Sequence, residues 1–234
     1  MPEMLLSIEN LEASYGDARA LHGVSCSINK GETLALIGSN GAGKSTLLKS
    51  ICGLVANKQG QITFKGEDIT RLPANEIVKL GIALVPEGRR LFPSLSVEEN
   101  LILGGKASRP GQWNLHAIYS LFPILKERRG HPSTSLSGGQ QQMVAIGRAL
   151  MSNPDLLLLD ELSLGLAPIV IKDIYELLPR ISGGGVSTII VEQDVTRALS
   201  TASRFMCLQE GRVSLEGEPK AYSRDAITRA YFGT

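Results

Sequence analysis

Gly38-Ser39-Asn40-Gly41-Ala42-Gly43-Lys44-Ser45-Thr46 is the stretch that decides how this chain folds. It follows Thr33-Leu34-Ala35-Leu36-Ile37, a short apolar run that reads as a buried strand. It precedes Leu47, Leu48, Ile51 and Leu54, whose spacing predicts one buried face of a helix. Strand, glycine-rich loop and helix in that order form the context a phosphate-binding P-loop requires. The glycines let the backbone curl so that successive N–H groups point inward at phosphate oxygens. The helix start adds its partial positive charge. On this reading Lys44 reaches the β- and γ-phosphates, and the Ser45 hydroxyl ligates Mg²⁺. A glycine-rich turn that happens to carry a lysine is the plainer alternative. Every motif position is filled between strand and helix, which argues against it.

Composition frames the rest. With 234 residues the chain can bury a substantial core as one domain, with room for a subdomain. Charged residues make up 20% and hydrophobic ones 43%, an ordinary soluble balance. The net charge of +1 gives no bulk attraction to nucleic acid or anionic lipid, so no nucleic-acid partner is expected. Cys26, Cys52 and Cys207 are odd in number, widely spaced and mostly within apolar runs. They read as reduced core residues of a cytosolic protein, not as a disulfide or zinc set. No uncharged apolar segment is long enough to span a bilayer, and no basic-then-apolar signal opens the chain. Any membrane role is therefore expected to come through a partner.

The chain begins with strands. Leu5 to Ile8 and His22 to Ile28 alternate apolar and polar residues, as half-buried antiparallel strands do. Between them Ser14-Tyr15-Gly16-Asp17 reads as a polar turn, and a flat tyrosine ring there could stack on a nucleotide base. An edge-strand aromatic is the plainer reading of Tyr15. Gly60 to Phe64 suggests a further strand, with a tight turn at Lys65-Gly66. Pro73 opens a short helix through Leu80, and Ile82 to Val85 forms a strand ended by Pro86. Glu87 to Pro93 is a charged loop with an exposed-looking Leu91-Phe92 pair. Ser96-Val97-Glu98-Glu99 fits a capping box that starts a helix through Leu103. The following Leu-, Ile- and Phe-rich material reads as helix broken by Pro123. Residues 86–153 therefore look helical between two α/β flanks, 1–85 and 154–234, within a single domain. After a strand from Phe205 to Leu208 and a turn at Glu210-Gly211-Arg212, a short helix near Ala226 to Phe232 leaves no room for a regulatory domain.

Two further constellations carry chemistry. In Leu156-Leu157-Leu158-Leu159-Asp160-Glu161, four consecutive leucines suit a strand covered on both faces by helices. The carboxylates at its end lie where open α/β sheets present ligands. They could simply start a turn. With a P-loop upstream, Asp160 is instead expected to hold Mg²⁺ as the Walker B carboxylate, and Glu161 to orient and deprotonate a water. Leu136-Ser137-Gly138-Gly139-Gln140 stands directly before a long helical stretch, Gln141 to Leu150. That is either a second anion-binding helix start or a glycine-rich linker capped by Ser137.

Leu-Ser-Gly-Gly-Gln is the signature of the ABC ATPase family, and the chain resembles that family along essentially its whole length. Walker A, signature and Walker B stand here in the family's order and spacing. The resemblance implies an α/β fold: a P-loop ABC ATPase core, an N-terminal antiparallel β subdomain and an inserted helical subdomain carrying the signature. It also puts Tyr15 at the adenine-stacking position. Three phrases are similar to the ATPase subunits of branched-chain amino acid importers, the LivF-like group. They are Pro86 to Pro93, Ser163-Leu164-Gly165-Leu166-Ala167-Pro168 and Val191-Glu192-Gln193-Asp194.

Some positions depart from the wider family. Glu87 stands where glutamine is usual, Gln193 where histidine is usual, and Ser163-Leu164-Gly165-Leu166 lacks the usual D-loop aspartate. Leu162 replaces the proline expected after Glu161. All three histidines precede Asp160, so none can serve as the switch histidine. Glu87 could still ligate Mg²⁺ as a hard oxygen donor, but its charge would repel an unscreened γ-phosphate. Gln193 can donate a hydrogen bond to that phosphate but cannot become cationic. Slower or more partner-dependent hydrolysis is expected.

The resemblance further implies ATP and Mg²⁺ as cofactors, with Gly38 to Thr46 around the triphosphate. Two ATPase subunits would pair head to tail, so that Ser137, Gly138, Gly139 and Gln140 complete the partner's site. The second subunit is expected to be a related chain, with a second copy of this chain as the alternative. Two transmembrane permease subunits would contact the loop beginning at Glu87. A solute-binding protein would take part indirectly, and the chain would sit peripherally on the cytoplasmic face of a bacterial inner membrane. A small-molecule P-loop kinase has no use for a signature motif before Walker B. A chromosome or repair ATPase needs a long heptad coiled coil, and only about ninety residues without sustained heptads separate Thr46 from Leu136. A ribosome-acting relative normally carries two cassettes. Substrate choice lies outside this chain, so urea, short amides and other amino acids stand beside branched-chain amino acids.

Overall fold

The computed structural model describes residues 3–233 apart from residue 108. The chain runs through β1 (Met4–Tyr15), β2 (Ala18–Asn29), β3 (Thr33–Ile37), α1 (Lys44–Ile51), β4 (Asn57–Phe64) and β5 (Glu67–Asp68). It continues through α2 (Ala74–Leu80), β6 (Ile82–Val85), α3 (Val97–Gly104), α4 (Leu115–Leu121), α5 (Pro123–Glu127) and α6 (Gly138–Leu150). The last third holds β7 (Leu156–Asp160), α7 (Pro168–Gly183), β8 (Ser187–Val191), α8 (Val195–Thr201), β9 (Arg204–Gln209), β10 (Arg212–Gly217) and α9 (Arg224–Phe232).

The strands form two sheets. One is antiparallel, in the order β2-β1-β4-β5. The other has the order β10-β9-β3-β8-β7-β6 and is parallel except for β10 at its edge. The leucines of β7 show why this second sheet folds from near-continuous apolar runs. Leu156 and Leu158 join the core shared with the antiparallel sheet and α1. Leu157 and Leu159 face the opposite core, built with α6, α7 and the helices between residues 97 and 127. Every residue of this strand is buried, as expected where both faces are covered. A smaller core gathers Ala35, Ile37, Phe205 and Cys207 against Ala198 of α8 and Ile227 of α9.

Local signals act as their chemistry dictates. The Ser96 hydroxyl accepts from the Glu99 N–H while the Glu99 carboxylate accepts from the Ser96 N–H, closing the capping box of α3. Pro123 opens α5 at its first turn, where its missing N–H costs nothing. Among the described residues between 86 and 153 no strand forms; only an isolated bridge links Ser96 and Pro132. The three cysteines are unpaired, and burial pushes the Cys52 thiol up to about 12.

Three sequence expectations need correction. Leu54 is 55% exposed, because α1 stops at Ile51 and the chain reverses at Gly53, whose φ is +68°. Tyr15 lies at the end of a strand and not in a turn: β1 runs on to it, and Gly16-Asp17 alone make the reversal. Leu91 is not exposed with Phe92. It packs against the helical core, while Phe92 is 50% exposed.

Candidate functional site

Strand register gathers the candidate residues. Val191 of β8 lies level with both Leu36 of β3 and Asp160 of β7, and Leu159 lies level with Val85 of β6. Four parallel strands therefore end side by side, and the segments after them emerge along one edge of the sheet: Gly38 to Gly43, Glu161 onward, Glu192 to Asp194, and Pro86 onward. An open parallel sheet binds its ligands at that edge.

The loop after β3 depends on two glycines with left-handed backbone. Gly38 has φ +151°, and a Cβ there would lie 2.3 Å from the carbonyl oxygen of Leu208. Gly43 has φ +100° and approaches the Ala20 carbonyl oxygen, 2.9 Å from where a Cβ would stand. No other residue fits either position without displacing backbone. Gly43 then caps α1, so the first N–H groups of that helix open toward the loop. Lys44 folds back, its Nζ donating to the carbonyl oxygens of Gly38 at 2.7 Å and Ser39 at 2.9 Å. It is buried, and desolvation holds its pKa below the usual lysine range.

Ser45 and Asp160 meet although 115 residues separate them: the serine Oγ donates to the carboxylate Oδ1 at 3.1 Å. Asp160 is buried, and burial raises its pKa, with the charges of Glu161 and Glu87 pushing the same way. The Ser45 hydrogen bond and the Lys49 charge pull the other way without offsetting the burial. The hydroxyl of Ser45 and the carboxylates of Asp160 and Glu87 are hard oxygen donors of the kind Mg²⁺ takes. Among the described residues no cluster of three or more His, Cys, Asp or Glu could hold a metal alone.

Glu161 follows β7 with φ +50°, an uncommon conformation for a side chain of its size. Its N–H donates to Val191, and its carboxylate accepts from Gln193 Nε2 at 2.9 Å. The amide thus holds the carboxylate as a hydrogen-bond donor, without carrying charge.

A pocket of about 440 Å³ unites these groups. Asn40 to Thr46, Glu87, Glu161 and Gln193 line it. Ala20 and Leu164 line it as well, and sequence reasoning assigned neither. The D-loop phrase contained the only signal for Leu164; nothing in the sequence marked Ala20. Tyr15 is exposed at the rim of the β1–β2 hairpin that carries Ala20 and does not line the pocket. The stretch from Ser137 to Gln140 lies away from it too. Ser137 Oγ accepts from the Gln140 N–H, and Gln140 Oε1 accepts from the Ser137 N–H, so this stretch caps α6.

Comparison with known proteins identifies the family. The sequence model of the family described as ABC transporter matches residues 21–163. The high-affinity branched-chain amino acid transport ATP-binding protein BraG of Pseudomonas aeruginosa is 45% identical over 232 residues, covering 98% of this chain and 100% of that protein. A probable branched-chain amino acid transport ATP-binding protein, LivF of Archaeoglobus fulgidus, is 36% identical over 91% of this chain and 92% of its own length. Among solved structures, a dimeric post-hydrolysis state of the ATP-binding cassette MJ0796, bound to ADP and Pi, superposes with a TM-score of 0.80. It is 27% identical over 92% of this chain and 98% of that one.

Proposed function

The chain belongs to the ABC transporter ATP-binding family, and from that premise we propose that it powers an importer of branched-chain amino acids from the cytoplasmic face of a bacterial inner membrane. It is an ATP-hydrolysing subunit with the P-loop ABC ATPase fold. The observation that carries its chemistry is the single pocket uniting Lys44, Ser45, Glu87, Glu161 and Gln193, with Asp160 behind Ser45. The amino-acid assignment is supported by full-length similarity to BraG. Urea, short amides and other amino acids are the competing cargoes.

In the proposed mechanism the loop from Gly38 to Gly43 and the start of α1 hold the triphosphate by N–H groups, and Lys44 uses its remaining donor on it. Ser45, Asp160 and Glu87 would hold Mg²⁺, which when bound neutralises charge on the β- and γ-phosphates. Glu161, steadied by Gln193, takes a proton from water. The water oxygen then attacks the γ-phosphorus, and the bond to the β–γ bridging oxygen breaks to give ADP and phosphate. Ser137 to Gln140 complete the site of a second ATPase subunit paired head to tail.

Tyr15 is the proposed adenine platform. Tyr15→Ala is expected to weaken ATP and GTP binding alike, because stacking tolerates either base while Lys44 keeps part of the affinity. Equilibrium binding of both nucleotides measures this. Unaltered ATP affinity would remove Tyr15 from the site.

Two permease subunits, with a solute-binding protein outside the membrane, complete the proposed transporter. No described helix is long and apolar enough to cross a membrane. A groove of about 580 Å³, lined by Leu54, Ile77, Val78, Leu84, Phe92 and Leu103, opens beside the loop that begins at Glu87. Its exposed Leu54 and Phe92 explain the apolar surface left bare by this chain alone. Asn100, fully buried, holds the Phe92 backbone through both its N–H and its carbonyl. Phe92→Ser is expected to abolish co-purification with the permeases and transport of labelled leucine while leaving ATP affinity nearly unchanged. Loss of ATP binding in the isolated variant would make Phe92 a packing residue instead. Intact permease binding with no leucine transport in the unaltered complex would reject the cargo.

A further inference from the structure

Glu192 is a charged residue at the end of an all-buried strand, only 1% exposed, and among the described residues it makes no ion pair. Its carboxylate is satisfied by three hydrogen bonds. The Ser163 N–H donates to Oε1 at 3.1 Å, the Tyr175 hydroxyl donates to Oε1 at 2.8 Å, and the Ser163 hydroxyl donates to Oε2 at 2.6 Å. Tyr175 projects from α7, and the Arg197 guanidinium of α8 lies 5.9 Å over its ring. A buried carboxylate is costly unless fully hydrogen-bonded, so this network fixes three segments together.

Two of the fixed segments carry the reacting groups. Ser163 is two residues past Glu161, and Glu192 directly precedes Gln193. The side chains of Glu161 and Gln193 are themselves 2.9 Å apart. Leu164, next after Ser163, lines the nucleotide pocket. Glu161 stands in left-handed backbone, a conformation that persists only where its surroundings over-determine it. Together with the Glu161 N–H bond to Val191 and the Glu161–Gln193 contact, the Ser163–Glu192 pair ties the loop after β7 to the end of β8.

We propose that Glu192 is a positioning residue for ATP hydrolysis: by gripping Ser163 and Tyr175 it holds Glu161 and Gln193 in register. This rests on the reading of Glu161 as the base. Small misplacements of a reacting group can lower a rate by one to two orders of magnitude without touching ground-state binding.

The test is steady-state hydrolysis by the full chain with its paired subunit. Glu192→Ala is expected to lower kcat on the order of ten-fold or more, with KM for ATP within about two-fold. Glu192→Gln is expected to stay within about two-fold of wild type. Its amide oxygen can accept from the Ser163 N–H and the Tyr175 hydroxyl, while its NH₂ group donates to a reversed Ser163 hydroxyl. Ser163→Ala, which keeps the main-chain bond, is expected to lower kcat about three-fold with KM unchanged, and it serves if Glu192→Ala does not fold. An unaltered kcat in Glu192→Ala overturns the proposal, as does an unaltered kcat in Ser163→Ala. So does a Glu192→Gln enzyme as slow as the alanine variant, or a fall in kcat matched by an equal loss of ATP affinity. Glu161→Gln assayed alongside separates the two readings. Near-normal turnover there removes Glu161 as the base. A silent Glu161→Gln beside a fully active Glu192→Ala overturns only the role of Glu192.

Discussion

Glu161→Gln is expected to lower ATP turnover by a factor on the order of a hundred or more, the usual scale for losing general-base catalysis. The amide keeps the size of the carboxylate, and its oxygen can still accept from Gln193 Nε2, which lies 2.9 Å away. It can also occupy the φ +50° backbone that Glu161 already adopts. What it cannot do is take a proton from water. ATP and Mg²⁺ should still bind, because Lys44, Ser45 and Asp160 are untouched and the Ser45–Asp160 contact does not involve Glu161. With hydrolysis blocked, the closed pair should accumulate, since bound nucleotide favours the state that contacts it most. Sizing chromatography with ATP and Mg²⁺, in the presence of the partner subunit, reads that accumulation. Asp160→Asn should behave differently and weaken Mg²⁺-dependent binding itself. Near-normal hydrolysis by Glu161→Gln would reject its role as base. Blocked hydrolysis without ATP-dependent pairing would count against the head-to-tail dimer.

The sequence carried the parallel sheet more clearly than the antiparallel one, for a physical reason. Strands covered on both faces are continuous apolar runs, and Thr33 to Ile37, Ile82 to Val85 and Leu156 to Leu159 announce themselves. Strand β1 hides its length. Leu6 and Ile8 face inward, then Glu9 and Asn10 both turn outward, and Leu11 and Ala13 resume on the opposite phase. The pairing register shifts between Ile8 and Leu11, and Asn10 has φ +49°. A bulge of this kind interrupts the period-two pattern and makes one twelve-residue strand look like a short one.

The site was legible where local motifs carry its chemistry. Asn40 to Thr46, Glu87, Glu161 and Gln193 meet in one pocket because the four strands preceding them end in register. Ser163 and Glu192 belong to no local chemical motif, and their contact spans 29 residues. A glutamate directly after the apolar run Ile189 to Val191 is the signal that could have marked it, since a buried charge must find partners. Leu91 and Phe92 look alike in sequence and diverge in structure, because only packing decides which of two adjacent apolar side chains turns inward.

Lys44→Ala should remove most nucleotide affinity. The ammonium is buried and already spends two of its three N–H donors on the carbonyls of Gly38 and Ser39, so it both shapes the loop and presents charge to the phosphates. Hydrogen bonds to a charged group contribute about 1.5–3 kcal/mol each. Losing one to the triphosphate, together with the loop geometry, weakens binding on the order of a hundred-fold. Thermal melting reads this without any turnover. At an ATP concentration about one hundred times the wild-type Kd, binding stabilises the native state by about 2.7 kcal/mol. For a chain of this size each kcal/mol moves Tm by roughly 2–4 °C, so ATP should raise the wild-type Tm by about 5–11 °C. In Lys44→Ala the same ATP concentration only equals Kd, and the stabilisation falls to about 0.4 kcal/mol, or a shift of roughly 1–2 °C. Without ATP the variant should melt close to wild type, because the lost carbonyl bonds are offset by no longer burying an ammonium whose desolvation is unfavourable. An undiminished ATP-induced shift would show that Lys44 serves the loop and not the phosphates. A large drop in the nucleotide-free Tm would assign it to holding the fold.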